Sequence, residues 1–319
     1  MSEKSATLTI DEALNLASQA YHADRLPEAE NIYQQILNEH PNQPVALHMM
    51  GLIAHQVGKN DIAAQLMTKA IAAKPDYADA HNNLGIVLQR LGKLEDAISH
   101  YQSALTLQPK EVNTHNNLGL AYLQLEQGHA AIQEFRNALS ITPLHFEAQL
   151  NLGVAFTNLG RFEEAVLAYQ KAVTIRSDNA GAYNNLAHAL RALGKLEEAI
   201  RSYQKTISLK PDSAEAHNSL GNTLRDLGRR DEAIASYREA LEASPDLAVA
   251  RYNLGSTLQE LGRVDEAITY LGKIQDKYGS DYPRRTKIKI FDEIRVQDVA
   301  EKHKVCWDRK EGFLGMNVK

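Results

Sequence analysis

Apolar residues fall in short stripes at helical spacing along most of this chain. One pair of stripes is Leu84, Val87, Leu88 and Leu91, followed by Leu94, Ala97, Ile98, Tyr101 and Leu105. Recurrence every three or four residues predicts amphipathic α-helices. Between the two stripes lies "LGKLEDA", whose Gly92 stands where a helix is expected to stop. The block then recurs. "HNNLG" occurs at 81–85 and again at 115–119, 34 residues on, and the step continues as "LNLG" at 150–153, "NNLA" at 184–187, "NSLG" at 218–221 and "YNLG" at 252–255. Backwards it reaches "HMMG" at 48–51 and "LNLA" at 14–17. An unbroken period of this length predicts an array of stacked helical hairpins, each burying its apolar face on its neighbours.

With the "NNLG" glycine set as position 8, eight units run 10–43, 44–77, 78–111, 112–145, 146–179, 180–213, 214–247 and 248–281. Residues 1–9 form a lead-in and 282–319 leave the pattern. Position 20 is alanine in all eight units, from Ala29 to Ala267. Position 24 is aromatic in six (Tyr33, Tyr101, Phe135, Tyr169, Tyr203, Tyr237), and position 32 is proline in six. Small residues at positions 8 and 20 are expected to let paired helices approach closely. Thr9 with Glu12 has the pattern of a capping box. Asp76, Asp178, Asp212 and Asp246, each after a position-32 residue, are expected N-caps. Glu126 replaces the turn glycine of the fourth unit, with Gly128 two places later, which predicts a shifted turn there.

These residues resemble the tetratricopeptide repeat, with its 34-residue period, "LG", alanine, aromatic and closing proline. The resemblance spans 272 of the 319 residues. It implies an all-α fold: a right-handed α-solenoid superhelix of eight helix-turn-helix repeats, with each first helix on the concave side. Ile288, Phe291, Ile294 and Val299 predict a C-terminal capping helix on the last repeat.

At about 100° per residue, positions 2, 5, 6, 9, 12 and 13 of the first helix oppose the apolar stripe. Position 6 reads Asn15, Met49, Asn83, Asn117, Asn151, Asn185, Ser219 and Asn253. An amide offers two donors and an acceptor, which suits the repeating N–H and C=O groups of an extended peptide. The series is similar to the asparagine ladder of O-linked N-acetylglucosamine transferases. Serving the helix seam is the competing role for these asparagines. Position 9 divides the array. Leu52, Ile86, Leu120 and Val154 make an apolar stripe, and His188, Asn222 and Ser256 follow. Arg191 and Arg225 at position 12, with Asn184, Asn218 and Asn222, make a candidate anion site.

The remaining chemistry narrows the choice. A net charge of −5 argues against general nucleic-acid binding. One cysteine, Cys306, rules out an internal disulfide. The N-terminus lacks an apolar signal-peptide core and no run is long enough to span a membrane, so the sequence reads as cytoplasmic. No phosphate loop, HExxH or nucleophile elbow is present, and no cofactor or metal is expected. His81, His115 and His217 share position 4, and equivalent residues of stacked helices lie roughly 8–10 Å apart, too far for one metal. The recurrent carboxylates of "KLEDA", "RFEEA" and "KLEEA" suit helix starts. The tail 282–319 is net +4, with Arg284, Arg285, Lys287 and Lys289 as its densest basic patch. The chain therefore reads as a non-enzymatic scaffold that binds an extended protein segment with an acidic or phosphorylated end. The alternative is a substrate-recruiting region of, or partner to, a protein O-glycosyltransferase or sulfotransferase.

Overall fold

The computed structural model describes residues 8–278, with side chains through Leu271. The predicted capping helix and the basic patch lie outside the described residues. Sixteen helices and no strands occur among them. The helices form hairpins: α1 (Ile10–His22) with α2 (Leu26–Glu39), α3 (Pro44–Gln56) with α4 (Asn60–Ala73), α5 (Ala78–Arg90) with α6 (Leu94–Leu107), and α7 (Val112–Gln124) with α8 (Gly128–Ile141). The second half repeats this with α9 (Phe146–Asn158) and α10 (Phe162–Ile175), α11 (Ala180–Ala192) and α12 (Leu196–Leu209), α13 (Ala214–Asp226) and α14 (Arg230–Ala243), and α15 (Ala248–Glu260) and α16 (Val264–Tyr278). The described chain divides into two compact units, one through Pro143 with α1–α8 and one from Leu144 with α9–α16.

Within each hairpin the turn is set by one residue. Position 15 has positive φ in every repeat: Gly58, Gly92, Gly160, Gly194, Gly228 and Gly262, with Asp24 and Glu126 in the other two. The fourth turn is therefore not shifted, contrary to the sequence expectation. Glu126 takes the left-handed conformation (φ 58°) in the register of the glycines, and Gly128 is the buried first residue of α8. The amide of Gln127 closes that turn onto the Tyr122 carbonyl at 2.8 Å, as Lys93 does onto Leu88 at 2.9 Å. Shared hydrogen bonding holds the carboxylate residue in a conformation it disfavours.

The helix starts also depart from expectation. Thr9 and Glu12 do form the capping box. Asp76, Asp178, Asp212 and Asp246, however, sit one residue before the N-cap. The caps are Tyr77, Asn179, Ser213 and Leu247, and of these Asn179 and Ser213 accept an amide, from Ala182 and Ala216. The turn after the position-32 residue is one residue longer than assumed, so the helix begins later.

Position 8 is small because a ring lies on it. A Cβ built on Gly85 meets Tyr101 Cε1 at 2.6 Å, and one on Gly153 meets Tyr169 Cε1 at 2.5 Å. These tyrosines are fully buried. Between the repeats of one unit, each second helix packs on the next first helix, as α4 on α5 and α12 on α13. First helices of neighbouring repeats also meet within a unit: α3 with α5, α5 with α7, α9 with α11, α13 with α15. Repeat 1 differs at its outer side. Position 3 is Glu12 and position 10 is Gln19, both exposed, where the other seven repeats bury small or apolar residues such as Ala80 and Val87. A polar outer face is what a terminal repeat of a stack requires.

Candidate functional site

The candidate residues all lie on first helices. In the first unit, Asn15 is on α1, Leu52 on α3, Asn83 and Ile86 on α5, and Asn117 and Leu120 on α7. Position 6 of one repeat reaches position 5 of the repeat before it. Asn83 Nδ2 lies 2.9 Å from His48 Nε2, and Asn117 Nδ2 donates to Asn82 Oδ1 at 3.4 Å. Asn82 Oδ1 also accepts from Thr114 Oγ1 at 3.1 Å. Because an amide N–H must donate, His48 Nε2 accepts and its Nδ1 faces the Tyr77 hydroxyl at 2.9 Å. Burial keeps this imidazole neutral, with its pKa lowered to about 4. The asparagines are thus rungs between repeats, and each rung spends one amide hydrogen. Beside them the apolar stripe is uneven: Leu52 is buried in the core, while Ile86, Leu120 and the neighbouring Met49 stay half-buried.

In the second unit, Asn151 and Val154 lie on α9, Asn184, Asn185 and Arg191 on α11, Asn218, Asn222 and Arg225 on α13, and Asn253 on α15. Val154 is buried. Asn253 Nδ2 donates to Asn218 Oδ1 at 3.0 Å, a rung with both residues buried. The equivalent rung between repeats 6 and 7 is missing, because Ser219 occupies the donor position. Asn184 Oδ1, its would-be acceptor, is buried without a partner. Two position-9 side chains, Asn222 of the expected anion site and His188, reach tyrosines of the second helices. Asn222 Oδ1 accepts the Tyr237 hydroxyl at 2.8 Å, and His188 Nδ1 lies 3.0 Å from the Tyr203 hydroxyl. Burial, with Arg191 nearby, lowers the His188 pKa to about 4.

The two arginines differ. Arg191 reaches diagonally to Asp226 of the next repeat, with Nε at 3.0 Å and Nη2 at 2.8 Å from Oδ2. By the same step Arg225 would meet Glu260, but Arg230 holds that carboxylate at 3.2 Å. Among the described residues Arg225 forms no ion pair, and it is half-buried on the first-helix face. The sequence pointed to these residue types but not to the diagonal pairing. Its one signal was the adjacent Asn-Asn at positions 5 and 6 in repeats 3, 4 and 6.

The other chemistry is structural. His81, His115 and His217 each point Nε2 at a proline carbonyl, of Pro75, Pro109 and Pro211, at 3.0–3.2 Å. The recurrent carboxylates sit in the first turns of second helices, where Glu164 and Glu266 pair with the arginine three residues before. Among the described residues no group of three or more His, Cys, Asp or Glu side chains is placed to hold a metal. None of their helices is long and apolar enough to cross a membrane.

Comparison with known proteins agrees with this geometry. Sequence models described as tetratricopeptide repeat match residues 116–180, 184–248, 224–287 and 66–99, and one described as TPR repeat matches 90–126. No curated protein matches the chain. Among solved structures it is similar to the C-terminal part of a TPR repeat-containing protein from Cytophaga hutchinsonii, at 17% identity and TM-score 0.64 over 76% of this chain and 99% of that one. It is also similar to MamA, at 30% identity and TM-score 0.50 over 52% of this chain and 96% of that one. YrrB, described as a TPR protein with an unusual peptide-binding site, aligns at 24% identity and TM-score 0.52 over 59% of this chain and 96% of that one. Period, hairpin geometry and these matches together make the chain a member of the tetratricopeptide-repeat family.

Proposed function

We propose that the chain is a protein-interaction scaffold whose first-helix faces hold an extended segment of a partner protein. One observation supports this most: the rung asparagine Asn117 has hydrogen-bonding capacity beyond its rung. Asn117 spends one amide hydrogen on Asn82 and keeps a second donor and an oxygen for another group. The first unit offers apolar contacts at Met49, Ile86 and Leu120, and the second offers a cation at Arg225. Apolar residues of a partner fit the first unit's face, and an acidic or phosphorylated residue fits the second unit's face. Arg225, rather than the ion-paired Arg191, is the anchor for the anion. YrrB, described as a TPR protein with an unusual peptide-binding site, shares the fold.

The test is selection of peptides from a random library on the full chain, followed by titration of the winners. Peptides rich in Asp or Glu are expected. Arg225→Glu is expected to weaken them at least tenfold and to reduce the salt dependence of association. Winners without acidic residues, or binding indifferent to Arg225→Glu, would overturn the anionic part of the reading.

A further inference from the structure

Position 4 is histidine in three repeats, and the residue at position 23 of the same hairpin differs each time. It is Glu134 for His115, Ser236 for His217 and His100 for His81. In repeat 4 an acid faces a base, with His115 Nδ1 at 2.6 Å from Glu134. In repeat 3 a base faces a base, with His81 Nδ1 at 3.0 Å from His100 Nδ1.

The state of the two rings follows from their other contacts. A carbonyl only accepts, so the 3.2 Å contact of His81 Nε2 with the Pro75 oxygen puts the hydrogen on Nε2 and leaves a lone pair on Nδ1. A carbonyl bond of this kind fixes the tautomer and aim of a metal-binding imidazole. Burial and the neighbouring His81 ring hold the His100 pKa below the usual histidine value, with Asp96 one turn earlier opposing. At neutral pH His100 is therefore an uncharged donor, the form that a metal requires. His81 is buried, whereas His100 is half-buried and open to solvent on one side.

The separation of the two nitrogens also selects a geometry. Ligands at right angles on an ion, each about 2.1 Å from it, stand about 3.0 Å apart, against about 3.4 Å in a tetrahedral site. We infer that His81 and His100 form a two-histidine site for a divalent transition cation with right-angled ligand positions, of the nickel or copper type, clasping α5 to α6 in repeat 3. The ring centroids are 5.2 Å apart and the rings meet edge to edge. His100 therefore turns to bring its Nδ1 lone pair onto the ion, and its hydrogen moves to Nε2, so the neutral pair releases no proton. Solvent fills the other positions, since no third His, Cys, Asp or Glu joins the group among the described residues. Equivalent histidines of successive repeats are too far apart to share an ion, but this pair lies within one hairpin.

Calorimetric titration of Ni²⁺ into the full chain, in a buffer that does not bind metals, tests the site. The parent is expected to take up one equivalent that His81→Gln and His100→Gln lack. His129→Gln, at an exposed histidine of α8, is expected to keep it. Ni²⁺ is also expected to raise the melting temperature of the parent and not that of His100→Gln. A gain of binding covers the case in which the loss variants fold poorly. Glu134→His sets an imidazole opposite His115, whose Nε2 meets the Pro109 carbonyl as that of His81 meets Pro75, and is expected to add a second equivalent. Equal uptake by the parent and a folded His100→Gln, or no added equivalent in Glu134→His, overturns the proposal.

Discussion

The amide oxygen of Asn184 is buried with no donor, while one repeat on, the Asn218 oxygen receives the Asn253 amide at 3.0 Å. The difference is a single residue, Ser219 in place of asparagine. Ser219→Asn is expected to complete the rung and stabilise the second unit by about 1 kcal/mol, since a buried acceptor without a partner is costly. Urea unfolding checks it; a loss of stability would show that the seam has no room for the amide. Histidines in the first unit make a second prediction. His48, His55 and His100 have lowered pKa values, mainly through burial, so their neutral forms stabilise the fold above about pH 6.5 and that contribution is lost as pH falls. His115 is raised, chiefly by its hydrogen bond to Glu134 at 2.6 Å. Its contribution is complete below about pH 6.5 and is lost as pH rises through the raised value. Stability of the first unit is expected to peak near pH 6.5. His48→Asn, which keeps an acceptor as Asn82 does, is expected to flatten the acid limb. An acid limb of unchanged slope would exclude His48 as its source.

Among the elements, the hairpin turn gives the sharpest case. Six of eight position-15 residues are glycine at positive φ, and Glu126 follows them despite its side chain. Glu126→Gly is expected to raise stability by roughly 0.5–1 kcal/mol, because the left-handed conformation costs a non-glycine residue about that or more. A destabilised variant would mean that the Glu126 side chain makes a compensating contact. The helices themselves were legible in the sequence, since apolar spacing and period determine them. The N-caps were not: whether Asp178 or Asn179 caps α11 depends on one residue of turn length, which periodicity does not encode. The small residue at position 8 was legible as a close approach, but its neighbour was not. The ring of position 24 is 16 residues away in sequence, and only packing shows that Tyr169 lies on Gly153.

For the whole molecule, the period makes the fold readable and leaves function to the positions that vary within it. Asparagine at position 6 was visible as a series. Its split into spent and unspent groups was not, because the rungs run diagonally over 35 residues, from Asn218 to Asn253 and from Asn82 to Asn117. Likewise Arg191 and Arg225 looked alike, and only the placement of Asp226 and Arg230 separates them. This division makes the scaffold reading testable with two similar substitutions. Asn253→Ala strips the donor from a buried rung and is expected to cost about 1–3 kcal/mol of stability. Asn185, half-buried on the same face, is expected to contribute to binding rather than to folding.

The most direct measurement is therefore calorimetric titration of one library-selected peptide into the full chain and its Asn185→Ala variant, with circular dichroism melts of both. The account predicts affinity weaker by roughly two- to tenfold, equivalent to about 0.5–1.5 kcal/mol, with unchanged helicity and melting temperature. Equal affinity for the two chains, or a melting temperature that falls with the affinity, would contradict it.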